Sequence, residues 1–218
     1  MFKRIIVGIA VAAFAVSAFA ETVKIACVGD SITFGDKVVH REQCSYPAVL
    51  QKMLGNGFEV KNFGRCGASL SKEAHYPYWK VAEFEKSKEF LPNAAIIMLG
   101  TNDTNPKNWP LAQNYIERDL KALLDVYAGL PSKPKIYLCL PVECFGSKFA
   151  SEDCLKVIRP IIMKVAKERG IAVIDTYAAL KGKKELFPDN LHPANDGAKI
   201  IAETVFAAIS PALKPAAK

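Results

Sequence analysis

Residues 23–31, VKIACVGDS, decide the fold. Val23 to Val28 is a short apolar run that stops at Gly29-Asp30, a turn-forming pair. A run without strict polar–apolar alternation suits a strand covered on both faces. The pattern recurs along the chain. Phe58–Phe63 ends at Gly64, Ala94–Leu99 at Gly100, Lys135–Leu140 at Pro141 and Ile171–Ile174 at Asp175. Helical patterns lie between these runs. Pro47–Leu54 is closed by Gly55 and Gly57. Asn108 can cap a helix that carries Ile116, Leu120, Leu123, Leu124 and Tyr127 on one stripe. Asp153–Arg169 stops at Gly170 and should be kinked or interrupted at Pro160, and a last helix spans Asp196–Ile209. Strands alternating with helices predict an α/β fold with a doubly wound parallel sheet and right-handed crossovers. No repeat or linker divides the chain, so 21–210 reads as one domain and 211–218 as a fraying tail.

Composition agrees with a globular domain. Of 218 residues, 50% are hydrophobic and 23% charged, which argues against general disorder. The N-terminus, MFKRIIVGIAVAAFAVSAFA, has a basic start at Lys3-Arg4, an apolar stretch Ile5–Val16 and small residues at Ala18-Phe19-Ala20. That is the pattern of a signal peptide, 1–20, and it implies a periplasmic or secreted protein. The alternative, a membrane anchor, needs about 20 apolar residues, and this stretch is shorter. No membrane span is expected in the mature chain. Removing 1–20 leaves 198 residues and, with two bases and no acid lost, lowers the net charge from +7 to +5. The remaining surplus is scattered. Its densest cluster, Lys181-Gly-Lys-Lys184, has no interleaved aromatics, so nucleic acid is not an expected partner.

Six cysteines lie in the exported part. Export permits disulfides, and six cysteines allow 15 pairings. None has C-x-x-C spacing, so neither a zinc site nor a thioredoxin-like motif is supported. Cys27 and Cys139 sit in apolar runs and read as buried free thiols. The loop cysteines are expected to pair as Cys44–Cys66 and Cys144–Cys154.

In a doubly wound sheet, ligands bind at the carboxyl ends of the strands. Gly29-Asp30-Ser31, Asn62-Phe63-Gly64 and Gly100-Thr101-Asn102-Asp103 all fall there, and Asp189-Asn190-Leu191-His192 precedes the last helix. A serine hydroxyl needs an adjacent base to become a nucleophile. Of three histidines, His192 alone follows a carboxylate by three residues, a spacing that can place Asp189 beside the imidazole. Ser31 as nucleophile, His192 as base and Asp189 as orienting carboxylate would form a triad. The oxyanion would need preset donors. The backbone N–H of Ser31, that of Gly64 and the amide of Asn102 are the candidates. Asp30 and Asp103 read as structural.

These four ordered blocks, spanning nearly the whole mature chain, resemble the SGNH/GDSL hydrolase family. The resemblance implies a flavodoxin-like three-layer α/β/α sandwich on a five-stranded parallel sheet. It also implies ester hydrolysis through an acyl-enzyme, with no metal or other cofactor. The spellings GDSITFG, NFGRCGAS and IIMLGTNDT are similar to bacterial carbohydrate esterases, sialate O-acetylesterase-like and acetylxylan esterase-like. The expected substrate is therefore an O-acetylated carbohydrate and the expected state a monomer. Lipolytic esterase or lysophospholipase activity and acyl transfer remain alternatives on the same triad. A non-catalytic glycan-binding module is the alternative of another class. There is no G-x-S-x-G elbow, which disfavours the α/β-hydrolase fold. Arg65 either points at substrate or is a surface charge. Trp109 and the Tyr76-Pro77-Tyr78-Trp79 cluster either stack on sugar rings or pack beneath a long loop.

Overall fold

A computed structural model describes residues 22–214, so the expected signal peptide and the last four residues lie outside the described residues. In chain order, β1 (Val23–Gly29) leads into α1 (Ser31–Phe34), followed by α2 (Arg41–Cys44), α3 (Tyr46–Leu54) and β2 (Phe58–Gly64). Next come α4 (Ala82–Glu89), β3 (Ala94–Met98), α5 (Trp109–Ala112), α6 (Ile116–Ala128) and β4 (Lys135–Cys139). The chain finishes with α7 (Glu152–Arg169), β5 (Ala172–Ile174), α8 (Thr176–Leu180) and α9 (Asn195–Ile209). The five strands form one all-parallel sheet in the order β2-β1-β3-β4-β5. This is the flavodoxin-like order, whose switch point lies between the carboxyl ends of β1 and β3.

The apolar runs are explained by burial on both faces. On β1, Ala26 and Val28 point into one cluster while Ile25 and Cys27 point into the other. Ala95 and Ile97 on β3 join the first, Ile96 and Met98 the second. Phe84, Ile116, Leu120, Leu123 and Ile158 from α4, α6 and α7 cover the first face. Tyr46, Leu50, Leu180, Ile201 and Val205 from α3, α8 and α9 cover the second. The result is three layers. Each large apolar side chain so enclosed contributes about 1.5–3 kcal/mol by leaving water.

Several local expectations change. The helix expected from Asn108 onward is two, α5 and α6, and Asn108 starts the first without a side-chain cap bond, donating its amide to Asn102 O and accepting from His75 N. The α7 helix continues through Pro160, which lies on the exposed face where an unpaired helical carbonyl costs little. Its start is capped by the Ser151 side chain. The polar α4 buries little beyond Phe84 and Ser87 and has no clear apolar stripe in sequence. Of the tail expected to fray, residues 211–214 are described: Ala212 and Leu213 donate to Ile209 O, and Leu213 packs against the second core cluster.

The expected disulfides are not formed. All six cysteines are free thiols. Cys66 Sγ faces Asp36 Oδ1 at 3.8 Å, and Cys144 Sγ donates to Ala150 O at 3.3 Å. Each is thus engaged with an oxygen. Cys27 and Cys139 are buried as expected, and burial pushes the Cys27 thiol up to about 12.

Candidate active site

The sharp turn at the end of β1 places Ser31 at the first position of α1. Asp30 caps that helix, accepting from Ile32 N at 2.9 Å, and is wholly buried. Its other carboxylate oxygen has no hydrogen-bond partner. Burial outweighs the cap bond and raises the Asp30 carboxyl to about 6.

Ser31 Oγ lies 2.8 Å from His192 Nε2, and His192 Nδ1 lies 2.7 Å from Asp189 Oδ2. The Asp189 Oδ1 atom accepts from His192 N at 2.7 Å and Leu191 N at 3.1 Å. Partial burial pushes the Asp189 carboxyl up. The backbone and ring N–H of His192 pull harder, with Leu191 N–H adding to them, and the net shift is below the usual range. An ionised Asp189 keeps the ring proton on Nδ1, leaving Nε2 to accept from the Ser31 hydroxyl. Asp36, unnoticed in the sequence, adds a second carboxylate 3.8 Å from Nδ1 and pairs with Lys37 at 2.8 Å. Among the described residues, Asp36, Asp189 and His192 form the one cluster with metal-ligand spacing. A cation there would compete with the Nδ1 proton.

The start of α9 is fastened to the same rim. Val39 N donates to Asn195 Oδ1 at 2.8 Å, and Asn195 Nδ2 donates to Val39 O at 3.2 Å. This clasp holds the His192 loop against the segment that follows Ser31.

Ser31, Asn102 and His192 line one pocket of about 290 Å³, and Gly64 does not. Gly64 is the last residue of β2, and its N–H donates to Asn62 Oδ1 at 2.9 Å. A side chain at Gly64 would collide with the backbone N of Phe34, so its smallness serves packing of β2 against α1. Gly64 is therefore corrected as an oxyanion donor. Gly67, three residues on, lines the pocket with φ +80°, a left-handed conformation natural to glycine. No acceptor among the described residues takes its N–H. The sequence carries two glycines in Asn62-Phe-Gly-Arg-Cys-Gly67. The usable signal is that the first ends the strand while the second falls in the turn beyond it.

Asn102 Nδ2 donates to Ala68 O at 3.0 Å, which leaves its second N–H free. Behind this wall, the buried Asp103 accepts from Leu70 N at 2.8 Å and Ser71 N at 2.7 Å. Burial still dominates and raises the Asp103 carboxyl to about 6. Ser71 in turn donates to the buried Asp119 at 3.2 Å. The turn after β2 is thus fixed by carboxylates from β3 onward.

The two expected substrate contacts lie elsewhere. Arg65 donates to Tyr76 Oη at 2.9 Å and pairs with Glu83 at 3.6 Å, outside the pocket lining. Trp109 packs against the first core cluster. In the tyrosine-rich cluster, Tyr78 Oη donates to Phe63 O and Trp79 Nε1 to Leu70 O, so both pack beneath the loop. The aromatic that does line the pocket is Phe149.

Comparison with known proteins agrees with this arrangement. The model of the GDSL-like lipase/acylhydrolase family matches residues 27–200. An acetylxylan esterase from Xylanibacter ruminicola is 34% identical over an alignment covering 87% of this chain. The chain spans 43% of that relative's length. Among solved structures, the M. smegmatis aryl esterase superposes with a TM-score of 0.72 at 18% identity, covering 88% of this chain and all of that one. A carbohydrate acetylesterase from Sinorhizobium meliloti gives 0.73 at 15% identity with the same coverage. These two establish the shared three-layer fold. The family match extends from β1 into α9, across every strand and both ends of the Ser31–His192 contact, so the chain belongs to the GDSL-like lipase/acylhydrolase family.

Proposed function

We propose that this protein is an exported serine esterase that removes O-acetyl groups from carbohydrate through an acyl-enzyme. The observation that carries the reading is the continuous Ser31–His192–Asp189 relay, at 2.8 and 2.7 Å, opening into the pocket that Asn102, Asn105 and Asn108 line. Ser31 Oγ attacks the ester carbonyl while its proton passes to His192 Nε2. The oxyanion is met by the N–H groups of Ser31 and Gly67 and by Asn102 Nδ2. Collapse breaks the bond to the sugar oxygen, which takes the proton from His192. Water, deprotonated by His192, then attacks the acyl-serine, and Ser31 Oγ leaves with the proton from His192 as acetate is released.

Acetyl is favoured because, of ten pocket-lining residues, only Phe149 and Leu191 carry large apolar side chains. A long acyl chain would need a more continuous apolar wall. The relative's name supports a xylan-type substrate, and residues 1–20 support export as a sequence reading.

The test is acetate release by the purified protein from acetylated xylan, sialic acid, pectin and peptidoglycan. Ser31→Ala should abolish release, and a serine-directed phosphonate should label Ser31 alone. Full turnover by Ser31→Ala would sink the mechanism. A preference for octanoyl esters or lysophospholipid over acetylated sugars would make the protein lipolytic instead. Glycan binding without turnover would make it a binding module.

A further inference from the structure

We propose that Phe149 is the platform on which a ring of the bound sugar stacks, and so the residue that selects a carbohydrate ester over a simple alkyl ester. This rests on the carbohydrate reading above. Phe149 is 55% exposed and belongs to the wall of the pocket that holds Ser31 and His192. Leaving that much aromatic surface in water forgoes the stabilisation that burial would bring.

Its backbone is nonetheless held. Phe149 O accepts from Asn105 Nδ2 at 3.2 Å, and Phe149 N donates to Ser147 Oγ at 3.2 Å. Two residues on, Ser151 N donates to Thr104 Oγ1 at 3.0 Å. Asn105 and Thr104 belong to the turn after β3 that also carries Asn102. The backbone that carries the ring is thereby tied to the turn that holds an oxyanion donor.

The surrounding chemistry fits a sugar. One face of a pyranose is a patch of C–H groups that suits an aromatic ring, while its edge presents hydroxyls. Asn105 lines the same pocket with one amide N–H beyond the bond already described, while the second N–H of Asn102 is kept for the oxyanion. An aromatic face beside the Asn105 amide can hold a ring by its flat side and a hydroxyl by a hydrogen bond. The ester carbonyl then lies toward Ser31.

The experiment compares KM and kcat for acetate release from acetylated xylo-oligosaccharides and from ethyl acetate, which has no ring to stack. Phe149→Ala should raise the oligosaccharide KM roughly three- to tenfold. It should leave kcat, and the ethyl acetate kcat/KM, within twofold. Phe149→Trp should keep a near wild-type KM, whereas Phe149→Leu, apolar but not aromatic, should resemble Phe149→Ala. An unchanged oligosaccharide KM in Phe149→Ala would overturn the proposal, as would a Leu variant as good as Trp. Sensitivity of Phe149→Ala to acyl length across acetyl, butyryl and octanoyl esters would overturn it as well, by making the ring an acyl wall. Wild-type protein releasing no acetate from any acetylated sugar would instead remove the carbohydrate reading itself.

Discussion

On one side of Ser31, the Asp189–His192 relay is held by bonds between residues two or three positions apart. On the other, Asn102 and the turn after Gly67 are held by bonds that reach across 32 to 34 positions. The first side is a short loop that shapes itself. The second is a tertiary scaffold in which carboxylates that touch no substrate fix backbone N–H groups. The difference teaches that the proton path is local while the charge-stabilising surface depends on the packing of the whole sheet edge. Damage should therefore look different on each side.

Removing Asp189 probes the local side. Asp189→Ala should cut turnover heavily, yet about ten- to a hundredfold less than His192→Ala. Asp36 still stands 3.8 Å from Nδ1 to favour the imidazolium. The melting temperature should fall only modestly, since the loop bonds are part-buried and local. A loss equal to that of His192→Ala would show that Asp36 lends nothing.

On the scaffold side, Asn102→Ala should lower kcat by about 10²–10³. A smaller step follows from Asp103→Asn. The amide can accept one of the two N–H groups that Asp103 now binds, and orphaning the other costs about 1–3 kcal/mol. The melting temperature should fall, and kcat should drop several-fold with KM nearly unchanged. Destabilisation without any change in kcat would separate the scaffold from the site.

The smallest effect is in pH. Asp30 and Asp103 are both raised to about 6 in the folded chain, against about 3.9 unfolded. Between those values the folded chain holds more protons, so these two groups make it more stable as pH falls from 7 toward 5. Asp189 works the opposite way, its contribution being lost only as pH falls below the ordinary carboxylate range. Denaturant melts should therefore give about 1 kcal/mol or more of added stability at pH 5 over pH 7. Asp30→Asn should flatten that slope. A flat wild-type profile would contradict the burial argument.

The same division explains what could be read from sequence. Strand runs such as Val23–Val28 and Ala94–Leu99 announced a sheet covered on both faces, because burial leaves an unbroken apolar record. Asp189 and His192 were legible because their contact is local. Gly67 was hidden by Gly64, since choosing between them requires knowing that Asn62 already takes the Gly64 N–H. Asn108 read as a helix cap, but tertiary partners at Asn102 and His75 claimed its amide. Phe149 shares its irregular loop with Phe145, and the loop leaves no periodic trace.

The clasp between Val39 and Asn195 joins residues 156 positions apart, and the Ser31–His192 bond joins residues 161 apart. A ribosome making this chain finishes nearly the entire sheet before His192 exists. The nascent polypeptide therefore carries a serine with no base, chemically idle until the last helix has emerged and docked. Cleavage ahead of His192 would return the protein to the same mute condition, whatever remained of its sheet.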